Sequence, residues 1–558
     1  MFENMLSIEW QCSKARQWLR GLLVFLLNQT GFIRRHTMNA VVSTIEQLLP
    51  AEIIETDPEQ IALYSQDVFT LGPPVCAVVT PRSIEEVQAL VRACRERGTP
   101  IVTRGGGMSY TSGYLATAPD SLLVDITSMN AIIEINLEDR YVTVETGCSW
   151  QALYEQLAPL GVRTPYWGTL SGRFATVGGG LSQNSIFWGS GQHGTAADNV
   201  LSLSVVTGKG ELIETGSASQ RHAAPFTRHF GPDLTGLFAS DCGALGIKVR
   251  ATLPLVPLAG SKSYTSFAFN TSGPMLRAMA QISRESLTTE CFGFDPYLQK
   301  QRMKRASLAA DAQQLSGVVK AESSLVGKLK QGAKIALSGR RFMDDVEWAM
   351  FTISEGRTDE ETAFQAERIR EICSAEGGTE LPDSIPRILA ANPFGPVNNM
   401  VGAEGERWLP VHGLVPHSRG EAVLAAIESV YADHQALLAQ FNIETGYLIA
   451  VVSEQITVLE PVFFWPDALN ALHIHSLESD HLARLHQFDA VPNAWEAVQK
   501  IKSDVIDVLS REGASHLQLG KAYHYHDALK PAARDLILGI KSSLDPDGIM
   551  NPGVLGLS

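Results

Sequence analysis

The sequence predicts an α+β fold built from two interleaved domains, and three observations carry that expectation. Residues 38–255 alternate short β-like runs with amphipathic helical stretches, whereas residues 256 to about 510 hold longer helical patterns and few strands. Two glycine-rich stretches about seventy residues apart, Arg104-Gly105-Gly106-Gly107-Met108-Ser109 and Thr176-Val177-Gly178-Gly179-Gly180, each follow a β-like run. The chain then closes on a helical stretch, Ala532 to Ser543, followed by the turn signals Asp545-Pro546-Asp547-Gly548 and Asn551-Pro552-Gly553.

From the N-terminus, Lys14, Arg16 and Arg20 precede the apolar run Gly21–Leu27, and Arg34-Arg35 follow it. That run falls short of the ~20 residues that span a bilayer, and no small-residue cleavage site follows. Residues 1–37 are therefore expected to be an extension, either lying upstream of a true start at Met38 or acting as a weak anchor. Next, Val78-Val79-Thr80-Pro81 ends a strand, Ile84 through Arg97 reads as an amphipathic helix closed by Gly98, and Thr99–Arg104 is a short strand entering the first glycines. Glycine admits positive φ and lets a phosphate approach bare backbone, so this loop can cradle a buried diphosphate with Ser109 as an added donor. It lacks the G-x-G-x-x-G spacing of a dinucleotide-binding turn.

The text between and beyond the two loops extends the pattern. It runs through Leu122–Asp125, Tyr141–Gly147, Thr176–Asn184, Gly194–Asn199 into Val200–Val206, Leu234–Phe238, Gly243–Ile247 and finally Leu544–Gly553. In this order the blocks, covering roughly residues 75–255 and 511–558, resemble the vanillyl-alcohol-oxidase (PCMH-type) superfamily of FAD-linked oxidoreductases. The resemblance implies a two-subdomain PCMH-type FAD-binding domain with an α+β substrate (cap) domain of the FAD-linked oxidase C-terminal type. It carries the pyrophosphate role onto Arg104, Gly105, Gly106, Gly107, Met108 and Ser109. Thr176, Val177, Gly178, Gly179, Ser182 and Asn184 would pass beside the ribityl chain and ring, with Gly194 in the following block. Ile247 would hydrogen-bond the adenine end, and Asn551 would close the site. Relatives that attach FAD through the first loop carry a His where this chain has Met108, and the second loop, Leu170–Phe174, has no Cys. Non-covalent FAD is expected, with a covalent link through the cap left open.

The implied domains are 38–255 for FAD binding, 256–510 for the cap and 511–558 returning to the FAD domain, with Leu253–Pro257 as the boundary. In the cap, Arg407-Trp408-Leu409-Pro410-Val411-His412 resembles the strand that brings residues to the flavin, and Tyr447 and Glu454 lie on another strand-like run. Phe463–Asp467 offers an aromatic wall, and His473-Ile474-His475 would share one face if extended. The richest segment, Ser515 to His526, holds three histidines, two tyrosines and a lysine, and is similar to one in the alkyl-dihydroxyacetonephosphate-synthase branch. Tyr523 or His516 is expected to bind or deprotonate a substrate hydroxyl, with Arg407 and Tyr447 as further catalytic candidates. No metal ligand set is expected, because the His-Gly-His-x-Gly-Asp-Gly-Asn string of lactate and glycolate dehydrogenases is missing; the corresponding region reads Tyr447–Val452.

The expected reaction moves a hydride from a small organic donor, an aromatic alcohol or para-alkylphenol, to flavin N5 and then to oxygen or a cytochrome-like acceptor. A D-2-hydroxy-acid dehydrogenase, a redox-neutral alkyl-transfer synthase and a non-catalytic flavoprotein are the alternatives. The net charge of −15 argues against nucleic-acid binding, and seven scattered cysteines without C-x-x-C spacing fit reduced thiols. Against that acidity, residues 300–341 carry ten Lys or Arg and only Asp311 and Glu322, so 312–338 is a candidate peripheral membrane or partner contact. A cytoplasmic homodimer completes the expectations.

Overall fold

The computed structural model describes residues 41–305 and 346–557. The expected extension 1–37 and the basic contact segment 312–338 lie outside the described residues.

The helix Ile84–Arg97 shows how the local rules act. Ser83 caps it by accepting the Glu86 N–H at 3.2 Å, acids occupy the first turn and Arg95 and Arg97 the last, and Gly98 stops it at φ +62°. Its apolar face, Ile84, Val87, Leu90, Val91 and Cys94, is buried. Beneath lies a four-stranded sheet ordered Ile54–Glu55, Ala77–Val79, Leu122–Asp125, Ile101–Arg104, the last three strands parallel. A parallel edge strand releases the first glycine loop at its C-terminal end, where ligands of open α/β sheets sit.

The second subdomain is an antiparallel five-stranded sheet ordered Ile132–Asn136, Tyr141–Glu145, Ile247–Pro254, Ser202–Val206, Leu212–Glu214. The C-terminal tail comes back to the first sheet. Ile101 donates to Ile549 O and accepts from Asn551 N–H, both at 2.7 Å, so the tail pairs beside the strand that feeds the glycine loop.

The cap is a large antiparallel sheet centred on Ser261–Phe269, Trp348–Gly356, Glu290–Phe294, Glu444–Val452, Ile456–Trp465 and Arg407–Pro410. The helices Ser272–Arg284, Gly420–Asp433 and Ala494–Arg511 bury apolar faces in the core that covers one side. The other side meets the FAD domain, with Phe292, Phe351 and Phe464 packed near Ile186 and Phe187. Register assigns each cap residue to a side, because residues opposite one another in a ladder share a face. The pairs Arg407↔Trp465 and Tyr447↔Pro461 lie on the helix-covered face. Trp408↔Phe464 and Leu448↔Glu460 lie on the face toward the FAD domain.

Candidate functional site

Between the two sheets of residues 41–255, with Gln518 of the C-terminal segment at one side, runs a cleft of about 900 Å³, open solvent at its mouth included. Gly105, Gly106, Gly107, Met108 and Ser109 form one wall, and Thr176, Gly178, Gly179 and Ser182 another. Gly107 takes φ +72°, and a Cβ on Gly106 would strike the Phe174 carbonyl, so the two loops touch backbone to backbone. Among the described residues the N–H groups of Gly106, Gly107 and Met108 meet no acceptor. Three unpaired donors on a glycine loop suit a diphosphate.

The opposite wall is stitched down instead. Thr176 accepts Gly179 N–H at 3.2 Å, while Val177 and Gly178 donate to Cys148 O and Thr146 O. A Cβ on Gly179 would meet only Thr176 Oγ1, at 3.2 Å, so that position faces open space for a ligand. The residues present fit FAD.

Several expected cofactor residues have supporting places. Arg104 turns from the cleft to pair with Asp125 at 2.9 Å, under the rings of Tyr64 and Tyr114, and lines a second cavity that shares Gly106, Met108 and Thr176 with the first. Val177 is core, Asn184 accepts Ala197 N–H at 3.1 Å, and Gly194 turns at φ +80° beside Asp198. Ile247 is buried in its strand, while its neighbours Gly246 and Lys248 line the cleft. Asn551 bridges Gly113 O at 2.7 Å and Cys242 O at 2.8 Å and accepts from Lys521 at 3.0 Å, tying three cleft segments together.

Sequence reasoning passed over Lys248, a charge in an apolar strand, and Gln518. Asp241 accepts Gly243 N–H at 3.0 Å and Leu245 N–H at 3.2 Å and pairs with the Lys248 ammonium. The neighbouring Cys242 thiol lines the cleft, and burial pushes it up to about 12, so it stays protonated.

On the cap side, His516 and Tyr523 meet. Their rings stack at 4.3 Å, and both join the backbone of His412: its N–H donates to Tyr523 Oη at 2.8 Å, and its carbonyl receives His516 Nδ1–H at 2.7 Å. A carbonyl only accepts, so Nδ1 carries the proton and Nε2 bears the lone pair. Among the described residues that buried Nε2 meets no partner, and neither does His412 Nδ1. His412 Nε2 sits 3.1 Å from Tyr110 Oη and 3.1 Å from Glu460 Oε2. Burial holds the His516 imidazole below its ordinary value and raises both tyrosine hydroxyls, Tyr110 further through Glu460. The cluster offers a neutral base, two protonated phenols and two orphan ring nitrogens.

The structure does not bring Arg407 or Tyr447 to this cluster. Both lie on the helix-covered face; Arg407 is spent on the carbonyls of Val68, Phe69 and Ala468, and Tyr447 packs near Tyr431 and Trp348. We expect Tyr447→Phe to leave the rate of flavin reduction unchanged in stopped-flow, while Tyr523→Phe lowers it at least about tenfold through one lost charge-assisted hydrogen bond. Glu454 accepts from Ser286 Oγ at 2.8 Å, away from these groups. His473-Ile474-His475 is helical, not extended: Asn470 caps Ala471–Ser476 by accepting His473 N–H at 3.0 Å. His473 is buried and His475 exposed, so the two imidazoles do not share a face. Among the described residues no group of three metal-ligating side chains converges, and no helix is long and apolar enough to cross a membrane.

Residues 75–216 match the FAD-binding-domain family. The chain is 25% identical over 483 residues to a mitochondrial D-lactate dehydrogenase (cytochrome) of Arabidopsis thaliana, covering 86% of this chain and 73% of that one. It is 28% identical over 254 residues to a D-2-hydroxyglutarate dehydrogenase of Xanthomonas citri pv. viticola, a match spanning 45% of this chain and 52% of its relative. In fold it is similar to p-cresol methylhydroxylase with substrate bound, at TM-score 0.69 and 17% identity over 94% of this chain and 97% of that one. It is also similar to an alkyldihydroxyacetonephosphate synthase, at TM-score 0.63 and 15% identity over 92% and 86%.

Proposed function

We propose that the chain, whose residues 75–216 match the FAD-binding-domain family and whose fold is similar to that of p-cresol methylhydroxylase, is an FAD-linked oxidoreductase of the PCMH-type, vanillyl-alcohol-oxidase superfamily that oxidises a small hydroxylated donor, an aromatic alcohol or para-alkylphenol, held on the cap side of the cofactor. The observation that carries this reading is the convergence of Tyr110, Tyr523 and the unpartnered Nε2 of His516 around His412. Bound FAD supplies the hydride acceptor. Tyr523 Oη already accepts the His412 N–H, so its own proton is free to donate to the substrate oxygen. Tyr110 adds a second hydroxyl, and both stay protonated because burial raises them. His516 Nε2 accepts the hydroxyl proton of an alcohol, and its Nδ1–H···O=C bond fixes the tautomer. Trp408, edge-on to Tyr110 at 5.8 Å, walls the side where an aromatic donor would lie. Gly105–Ser109 and Gly178–Gly179 hold the cofactor, without a covalent link at Met108.

A second reading, oxidation of a D-2-hydroxy acid, is favoured by the names of the sequence relatives. The two separate on purified protein. Acid precipitation should leave the yellow colour in the supernatant. Anaerobic addition of para-alkylphenols or aromatic alcohols should bleach the flavin faster than D-lactate or D-2-hydroxyglutarate does. The reverse order selects the second reading, and no bleaching by any donor sinks both. Reoxidation by air against reoxidation by a cytochrome then identifies the electron acceptor.

A further inference from the structure

The loop Asp67–Thr70 belongs to the FAD domain, yet three cap side chains grip its backbone. Arg407 donates from Nη2 to Val68 O at 3.0 Å and Phe69 O at 3.2 Å. Trp495 Nε1 donates to Phe69 O at 3.1 Å while its ring stacks on Phe69 at 5.4 Å. Asn470 Nδ2 donates to Asp67 O at 3.0 Å. The same loop holds the cofactor loop from behind. Val68 N–H donates to Ser109 O at 3.2 Å, and Asp67 Oδ2 accepts Ser112 N–H at 2.7 Å. One residue earlier, Tyr114 Oη reaches both Gln66 O, at 2.7 Å, and Gly107 O, at 3.2 Å.

We propose that this loop is a latch through which the cap sets the position of the diphosphate-binding glycines, so that Arg407 is a positioning residue for FAD retention. Apart from the backbone bond from Val68 N–H to Ser109 O, each link joins a packed side chain to a backbone carbonyl or N–H. Arg407 is buried at 7% exposure, and among the described residues no carboxylate lies within ion-pair distance of it, so its charge is directed onto loop carbonyls. A charge-assisted bond across a seam is a strong one, and losing it frees the loop without touching any residue that lines the cleft. The inference rests on FAD occupying the glycine cleft.

The test is FAD affinity and release, measured by flavin fluorescence on dialysed full-length protein, for Arg407→Ala, Trp495→Phe and the control Tyr447→Phe. Arg407→Ala should weaken FAD binding about tenfold or more, the scale of one charged hydrogen bond. Trp495→Phe, which keeps the ring stack and loses only the Nε1–H, should speed release in the same direction by a smaller factor, and Tyr447→Phe should match wild type. If Arg407→Ala merely lowers the melting temperature of the apoprotein, or slows flavin reduction while FAD affinity stays at the wild-type value, the latch is overturned. Should Arg407→Ala not fold, wild-type release from Trp495→Phe overturns it equally. A wild-type protein that takes up no FAD would fail the cofactor reading instead, a separate outcome.

Discussion

Replacing His516 with Ala should slow flavin reduction by the donor about 10²–10⁴-fold, the usual worth of a positioned general base, with FAD still bound. The lone pair on Nε2 is forced by the bond from Nδ1 to the His412 carbonyl, and burial keeps the ring neutral. The pH profile carries the signature. A base must be unprotonated to act, and the desolvated imidazole of His516 titrates below the ordinary ~6.5. The rate should therefore be flat through neutrality and fall only on the acid side of that value. His516→Gln should abolish this limb together with the rate. Stability follows the same sign: the unfolded imidazole takes up a proton near 6.5 that the buried ring refuses, so the contribution of His516 is complete above that pH and declines as pH falls below it. A variant with wild-type reduction rate, or an unshifted acid limb in His516→Gln, would remove His516 from the chemistry.

How much of this site could be read from the residues alone depends on the range over which each requirement acts. The glycine loops were legible because their demand is local: a positive φ at Gly107 and a backbone contact at Gly106 exclude a side chain whatever the rest of the chain does. His516 and Tyr523 were legible as a polar cluster set just before the C-terminal helix. Arg407 and Tyr447 stood out for the same polarity, but their sheet is buried on both faces, by helices on one and the FAD domain on the other. Such strands lose the apolar–polar alternation that reveals which parity faces a site. One step in register separates Arg407 from Trp408 and puts Leu448 and Glu460, not Tyr447, on the face opposite the helices. The paired histidines 473 and 475 misled for want of weight on Asn470, a capping residue that starts a helix where alternation alone reads as strand.

Gly106→Ala should yield a protein that is colourless as purified and binds added FAD at least about a hundredfold more weakly. The added methyl would overlap the Phe174 carbonyl oxygen and sit 3.1 Å from Ala175 N, atoms of a backbone held by bonds from Phe174 N to Ser171 O and from Trp150 N to Ala175 O. Neither loop can yield by rotating a side chain, so the first must swing away and carry the Gly106, Gly107 and Met108 N–H donors with it. Overpacking of this kind costs about 1–3 kcal/mol, and misplacing even one charge-assisted donor adds a further ~1.5–3 kcal/mol. Together these come to about 2.5–6 kcal/mol, a range that begins near the ~2.8 kcal/mol of a hundredfold change in affinity and runs well past it. Gly179→Ala separates clash with protein from clash with ligand. Its methyl meets only Thr176 Oγ1, at 3.2 Å, so the apoprotein should melt as wild type while FAD binding weakens because the methyl stands in the cleft. Absorbance at the flavin band against protein, followed by titration with FAD, reads both. Stoichiometric yellow Gly106→Ala protein with wild-type affinity would mean that the cofactor does not lie along the first loop.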